Sequence, residues 1–245
     1  MNVAEEIRKF LIGETDIVTF REMYDTNDEI NDYLQSMVDA HISSGEPFLK
    51  VEHIDREGNH TGGNHAMDYF LAPETDPGYP YGDDSYTSVR RYLTIEFRML
   101  THNVRTASGA LAFYQGVYDL FYQLDQSVPY CGKEYSNAFV FALEVIPDRL
   151  SGGDAEIYIQ EKIIPLFPES MTKSKRIKAI KDKIREEFRS EKGYPQWIQS
   201  CEWPVGKDGK PGVYLGNKKK MKGEVVEYYF RDESDGSTIT VIQYY

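Results

Sequence analysis

The sequence has no run of about 18 apolar residues, so no segment is long and apolar enough to read as a membrane-spanning helix. It holds only two cysteines, Cys131 and Cys201. Two so far apart suit neither a disulfide framework nor a zinc site, and no cofactor or metal is expected. Met1 to Lys9 has neither the basic start nor the apolar core of a secretory signal. These shortages together lead us to expect a cytoplasmic protein. Phosphate loops are missing too, since neither Gly62-Gly63 nor Gly152-Gly153 precedes a Lys-Ser or Lys-Thr pair. There is no internal repeat.

Basic charge is scarce over most of the chain. Residues 1–172 hold 12 Lys and Arg against 29 Asp and Glu, a net of −17. Residues 14–84 alone hold 3 against 17. Such a field repels nucleic acid and anionic membranes, and it speeds encounter with a basic protein. A solvated acidic surface that keeps the protein soluble is the competing explanation. Residues 173–222 reverse the sign, with 15 basic against 6 acidic, and residues 223–245 return to 1 against 5. Phosphate binding by this basic stretch lacks any aromatic-interleaved motif, so a solvated helix face explains it more simply, and no nucleic-acid partner is expected.

Hydrophobic residues are plentiful, at 40% of the chain, and aromatic ones make up 13%. Ile7, Phe10 and Leu11 share one stripe of a helix over 3–12 that Gly13 ends. A second helix is expected near 16–24, with Ile17, Phe20 and Tyr24 inward. Asp25 or Thr26 then caps a third, running to about Ala40 on Ile30, Tyr33, Leu34, Met37 and Val38. Asp25, Asp28, Glu29 and Asp32 fall at i, i+3, i+4 and i+7, which predicts one solvent-side acidic face.

Residues 41–84 lose this periodicity, apart from a possible strand at Phe48–His53 and an apolar patch at Met67–Leu71. Asp76 to Asp84 is a turn-rich aromatic loop. Helical stripes return as Val89, Tyr92, Leu93, Phe97 and Leu100, then as Leu111, Tyr114, Val117, Tyr118, Phe121 and Leu124. Tyr135, Phe139, Ala142, Leu143 and Ile146 form a further helix that Pro147 stops. Ile157, Ile163 and Ile164 mark another up to Pro165. Thr172 caps a basic helix with Ile177, Ile180, Ile184 and Phe188 inward and Lys178, Arg185 and Arg189 outward.

The character changes at Gly193-Tyr-Pro195. A short strand is expected at Val213–Leu215, with Lys218 to Lys222 in a loop. Glu224–Arg231 and Thr238–Tyr244 are rich in β-branched and aromatic residues, and Asp235-Gly236 between them signals a hairpin. About 40 residues of meander need a partner to pack on.

Few residues suggest chemistry. All five histidines fall between His41 and His102, and His53, His60 and His65 with Asp68 nearby invite a metal reading. None has the i, i+4 spacing that makes such a site specific, and loop histidines on a polar surface explain them better. Cys131 carries no signature of an activated thiol.

The segment Pro195-Gln-Trp-Ile-Gln-Ser-Cys-Glu-Trp-Pro204, with Gly209-Lys-Pro211 and Val213-Tyr-Leu-Gly216 after it, resembles the C-terminal tail of bacterial immunity-type proteins of toxin systems. The chain departs from that pattern at Gly216-Asn217, where a Gly-Gln pair is usual. The resemblance implies an interaction protein that neutralises a toxin. Read on their own chemistry, Trp197, Trp203 and Pro204 are a structural wedge that docks the hairpin onto the helices.

The fold expected is α+β, with a mainly helical domain over 1–192, including a loop-rich insertion at 41–84, and a C-terminal antiparallel β meander at 193–245 packed on it. The function expected is protein binding, with a basic toxin domain as the type of partner. Its candidate contacts are Asp25, Asp28, Glu29 and Asp32, together with Tyr79, Tyr81, Asp83, Asp84 and Tyr86. An enzyme using the histidine-bearing region 41–84 is the alternative.

Overall fold

The computed structural model describes residues 2–44, 52–54, 60–63, 100–220 and 224–245. The chain is α+β and divides into two compact units, Met1–Phe139 and Val140–Tyr245. The change of composition at 193 lies inside the second unit, so the meander and the basic helix before it belong together. Among the described residues, no helix is long and apolar enough to cross a membrane.

The first unit begins with α1 (Val3–Leu11), α2 (Ile17–Thr26) and α3 (Asp28–Ser44). Asn2 caps α1, and its Ile7, Phe10 and Leu11 stripe is buried. The helix ends in a Schellman turn, with the Gly13 N–H bonded to the Phe10 carbonyl and the Glu14 N–H to that of Lys9. Gly13 supplies the left-handed conformation that turn requires, at φ 82°. Asp16 caps α2 by accepting from the Val18 and Thr19 N–H groups.

A short antiparallel ladder, β1 (Glu52–Ile54) with β2 (His60–Gly63), follows. The expected patch at Met67–Leu71 and the stripe from Val89 to Phe97 lie outside the described residues; Leu100 is buried. α4 (Ala107–Tyr122) is the core helix of this unit, with Phe113, Val117 and Leu120 buried around it. Phe10 and Phe20 stack at 4.2 Å with nearly parallel rings, and Phe113 closes against both at 5.9 and 6.2 Å. Leu124, expected inward, lies beyond the helix end and is exposed. α5 (Lys133–Val145) crosses from the first unit into the second. It buries Ala142 and Val145 and leaves the expected Leu143 63% exposed.

In the second unit, α6 (Gly153–Tyr158) runs into a π-turn at Ile159–Ile163 and a 3-10 turn at Ile164–Leu166. The wider turn lets Ile157, Ile159 and Ile163 all reach the interior. α7 (Lys173–Glu187) buries Ile180 and Ile184. Thr172 stands at its N-cap without a side-chain bond.

The sheet order is β3-β4-β5, from β3 (Val213–Lys220), β4 (Val225–Arg231) and β5 (Thr238–Tyr244). β3 is longer than its sequence suggests, because Lys218, Lys219 and Lys220 pair with Glu227, Val226 and Val225 rather than forming a loop. Trp203 is buried among Phe188, Tyr214 and Phe230, at 5.4, 6.3 and 5.2 Å, and its indole N–H donates to the Gly212 carbonyl. The Pro204 carbonyl accepts from the Gly212 N–H. Trp197 lies against Tyr228 at 4.7 Å. Gln243, fully buried, ties the 198–200 segment to β5: its Oε1 accepts from the Ile198 and Gln199 N–H groups, and its Nε2 donates to the Ser200 carbonyl.

Candidate functional site

The acidic face expected on one helix is divided. α2 continues through Thr26, and Asn27 breaks the chain with extended backbone (φ −125°, ψ 99°) before α3 begins at Asp28. The Asn27 side chain then accepts from the Glu29 N–H, so Asn27, and neither Asp25 nor Thr26, caps α3. Asp25 belongs to the last turn of α2, where Arg21 Nε bonds its carboxylate at 2.8 Å. Asp28, Glu29 and Asp32 do share α3, opposite the fully buried Ile30 and Leu34. All three are exposed and make no ion pair among the described residues. Asp28 and Glu29 also favour the helix itself, since carboxylates in a first turn meet the positive end of its dipole.

The remaining predicted contacts, Tyr79, Tyr81, Asp83, Asp84 and Tyr86, lie outside the described residues, as do His65 and Asp68. His53 and His60 fall on β1 and β2. No group of His, Cys, Asp or Glu among the described residues could hold a metal ion. Burial pushes the Cys201 thiol up to about 11, which keeps it protonated and unreactive at neutral pH.

The second unit carries a feature that the sequence did not reveal. A cleft of about 570 Å³ opens between α7 and the segment after α5. Its apolar lining comes from Leu143, Ile146, Pro147, Ile184 and Phe188. Arg149, Lys181 and Arg185 add positive charge, against Glu144 and Asp148. Lys173 neutralises Glu144 at 2.6 Å. Asp182 is shared by Lys178 and Arg185, at 2.6 and 2.9 Å, so the two cations have one carboxylate between them. Lys181 and Arg149 make no ion pair among the described residues. The Arg149 guanidinium lies over the Tyr194 ring, 3.8 Å from its centroid, and the Trp197 indole N–H donates to the Arg149 carbonyl at 3.0 Å.

No protein family, curated protein or solved structure matches this chain.

The two regions differ in what they can do chemically. The α3 face presents carboxylates to solvent on a convex helix, which suits a basic surface. The cleft combines a partly apolar concavity with Arg149, Lys181 and Arg185, which suits an anion attached to an apolar group. The sequence predicts Arg185 as an outward residue of a basic helix and gives no site role to Arg149, Lys181 or Tyr194 in particular. They come from three separated segments, and no local spacing joins them.

Proposed function

We propose that this protein is a binding protein of the immunity type, which neutralises a basic partner by covering its surface, with Asp28, Glu29 and Asp32 among the contacts. The observation that carries the proposal is a surplus of carboxylates in the first unit. Residues 1–139 hold 23 Asp and Glu against 10 Lys and Arg, an excess of 13 carboxylates. Three of them stand exposed on α3. An arrangement of that kind accelerates encounter with a positive surface and disfavours like-charged partners. The tail around Trp197 and Trp203, through its resemblance to immunity-type proteins, supports the same reading. The protein then acts in the cytoplasm, in keeping with its two free cysteines.

The test is to reverse the face, as Asp28→Lys, Glu29→Lys and Asp32→Lys together. A partner captured from source cells by the wild-type protein is then measured for association rate at low and high ionic strength. Reversal should slow association by roughly tenfold or more and flatten its salt dependence. A partner indifferent to both salt and the reversal would remove α3 from the contact. Circular dichroism checks that the variant keeps its helices.

A further inference from the structure

We propose that the cleft of the second unit is a docking site for an acidic, amphipathic peptide segment of a partner protein. This goes beyond binding through α3, since it concerns another unit and the opposite charge. Three observations argue for it.

The first is the shape of the cleft and its lining. Leu143 is 63% exposed at the rim, and Val140, three residues before it on α5, is 54% exposed. With Ile146, Ile184 and Phe188 behind them, these side chains lead from an open apolar strip into a concavity of about 570 Å³. A leucine- or phenylalanine-sized side chain fits such a volume, and a sugar-phosphate backbone would leave the apolar lining unmatched.

The second is charge complementarity. α7 carries seven basic residues against three acidic ones. With Glu144 tied to Lys173 and Asp182 divided between Lys178 and Arg185, Asp148 is the one carboxylate of the lining without a cation among the described residues. The same lining holds Arg149, Lys181 and the half-compensated Arg185. The surplus is positive, so the occupant is negative.

The third is preorganisation. The Arg149 guanidinium rests over the Tyr194 ring, 3.8 Å from its centroid, and the Trp197 bond fixes the backbone behind it. A guanidinium held by a ring contact spends none of its N–H groups on it, and they stay available to a carboxylate. The occupant is thus a peptide that puts an apolar side chain in the cleft and carboxylates at Arg149 and Lys181.

The experiment titrates the intact protein with four probes and follows the Trp197 indole N–H resonance. The probes are a short peptide mixing Glu with Leu and Phe, the same peptide with Lys for each Glu, an all-Glu peptide, and an oligouridylate. The first should bind about tenfold tighter than any other. Lys181→Glu and, separately, Leu143→Asp should each weaken it about tenfold, and the exposure of Leu143 makes that variant harmless to folding. Equal binding of the all-Glu peptide or the oligouridylate would show a charge-only surface and overturn the proposal. So would binding that ignores both substitutions, or no binding by the first peptide.

Discussion

The two units of this protein handle charge in opposite ways. Residues 1–139 carry a net of −13, whereas residues 140–245 hold 18 basic against 17 acidic side chains and are close to neutral. In the second unit the described ion pairs include Lys183–Glu187 along α7 and Lys220–Glu227 across the sheet. In the first, Arg8–Asp125, Lys9–Glu6 and Arg21–Asp25 are the pairs described, and 23 carboxylates outnumber 10 cations. Exposed pairs add little stability, so this difference says little about which unit is the more robust. What it sets is the field each presents to a partner. Stability has other sources: stacked phenylalanines in one unit, and a tryptophan between helix and sheet in the other.

The comparison breaks most sharply at those aromatic centres. Trp203→Ala should cost about 3–5 kcal/mol, as should Phe113→Ala, because each removes a fully buried ring with aromatic contacts on several sides. Both tryptophans lie in the second unit, so fluorescence reports that unit alone. Urea unfolding of Phe113→Ala, followed by fluorescence and by far-UV circular dichroism, tests whether the units unfold separately. A fluorescence midpoint that stays in place while the dichroism midpoint falls is the expected result. Equal shifts in both signals would show one cooperative block.

Alkali sharpens the same contrast. Burial raises Tyr114 and Tyr118 well above their ordinary value and pushes Tyr135 up to about 12. A raised tyrosine pKa contributes stability that is fully present below the unfolded value of 10.0 and is lost as pH rises toward the folded value. Tyr158, Tyr214 and Tyr228 of the second unit are raised for the same reason, though less strongly. Above about pH 10 the dichroism of the first unit should therefore change before the tryptophan signal. The reverse order would count against the tyrosine cluster as the sensitive element.

A smaller effect belongs to Gln243. Gln243→Ala leaves the Ile198 and Gln199 N–H groups and the Ser200 carbonyl without their partner, which costs about 1–3 kcal/mol in fluorescence-monitored unfolding. A loss below that range would mean that water takes over these bonds.

The α+β class and the apolar stripes of α1, α2, α4 and α7 were legible in the sequence, because each stripe repeats within one helix and needs no distant partner. The break between α2 and α3 was not, since Asp25, Thr26 and Asn27 are all cap-forming residues and the carboxylate spacing runs across them at helical period. Leu143 points outward because the buried positions are Ala142 and Val145 on α5 and Ile146 just past its end, one position around the helix. The lysines of β3 have weak strand preference, and only their pairing with β4 makes them a strand. The cleft was hidden for a deeper reason. Arg149, Lys181 and Tyr194 meet only after folding, and a sequence pattern carries no trace of that meeting.

The smallest expected effect compares two threonines at equivalent places. Thr106 at the start of α4 is buried; its hydroxyl accepts from the Gly109 N–H at 3.0 Å and donates to the Asn103 carbonyl at 3.0 Å. The approach there is close, as a Cβ on Gly109 would lie 2.0 Å from the Asn103 oxygen, so the threonine holds a tight entry into the helix. Thr172 at the start of α7 has the extended backbone of a cap, but it is exposed and its hydroxyl makes no capping bond. Thr106→Ala should therefore cost about 1–2 kcal/mol in urea unfolding followed by dichroism. Thr172→Ala should stay within about 0.5 kcal/mol by fluorescence, as surface substitutions do. The sequence presents the two as the same kind of residue before a helix, and only the bond made by the hydroxyl separates them. A Thr172→Ala loss as large as that of Thr106→Ala would mean that the α7 cap closes in solution, and the contrast between the two helix starts would disappear.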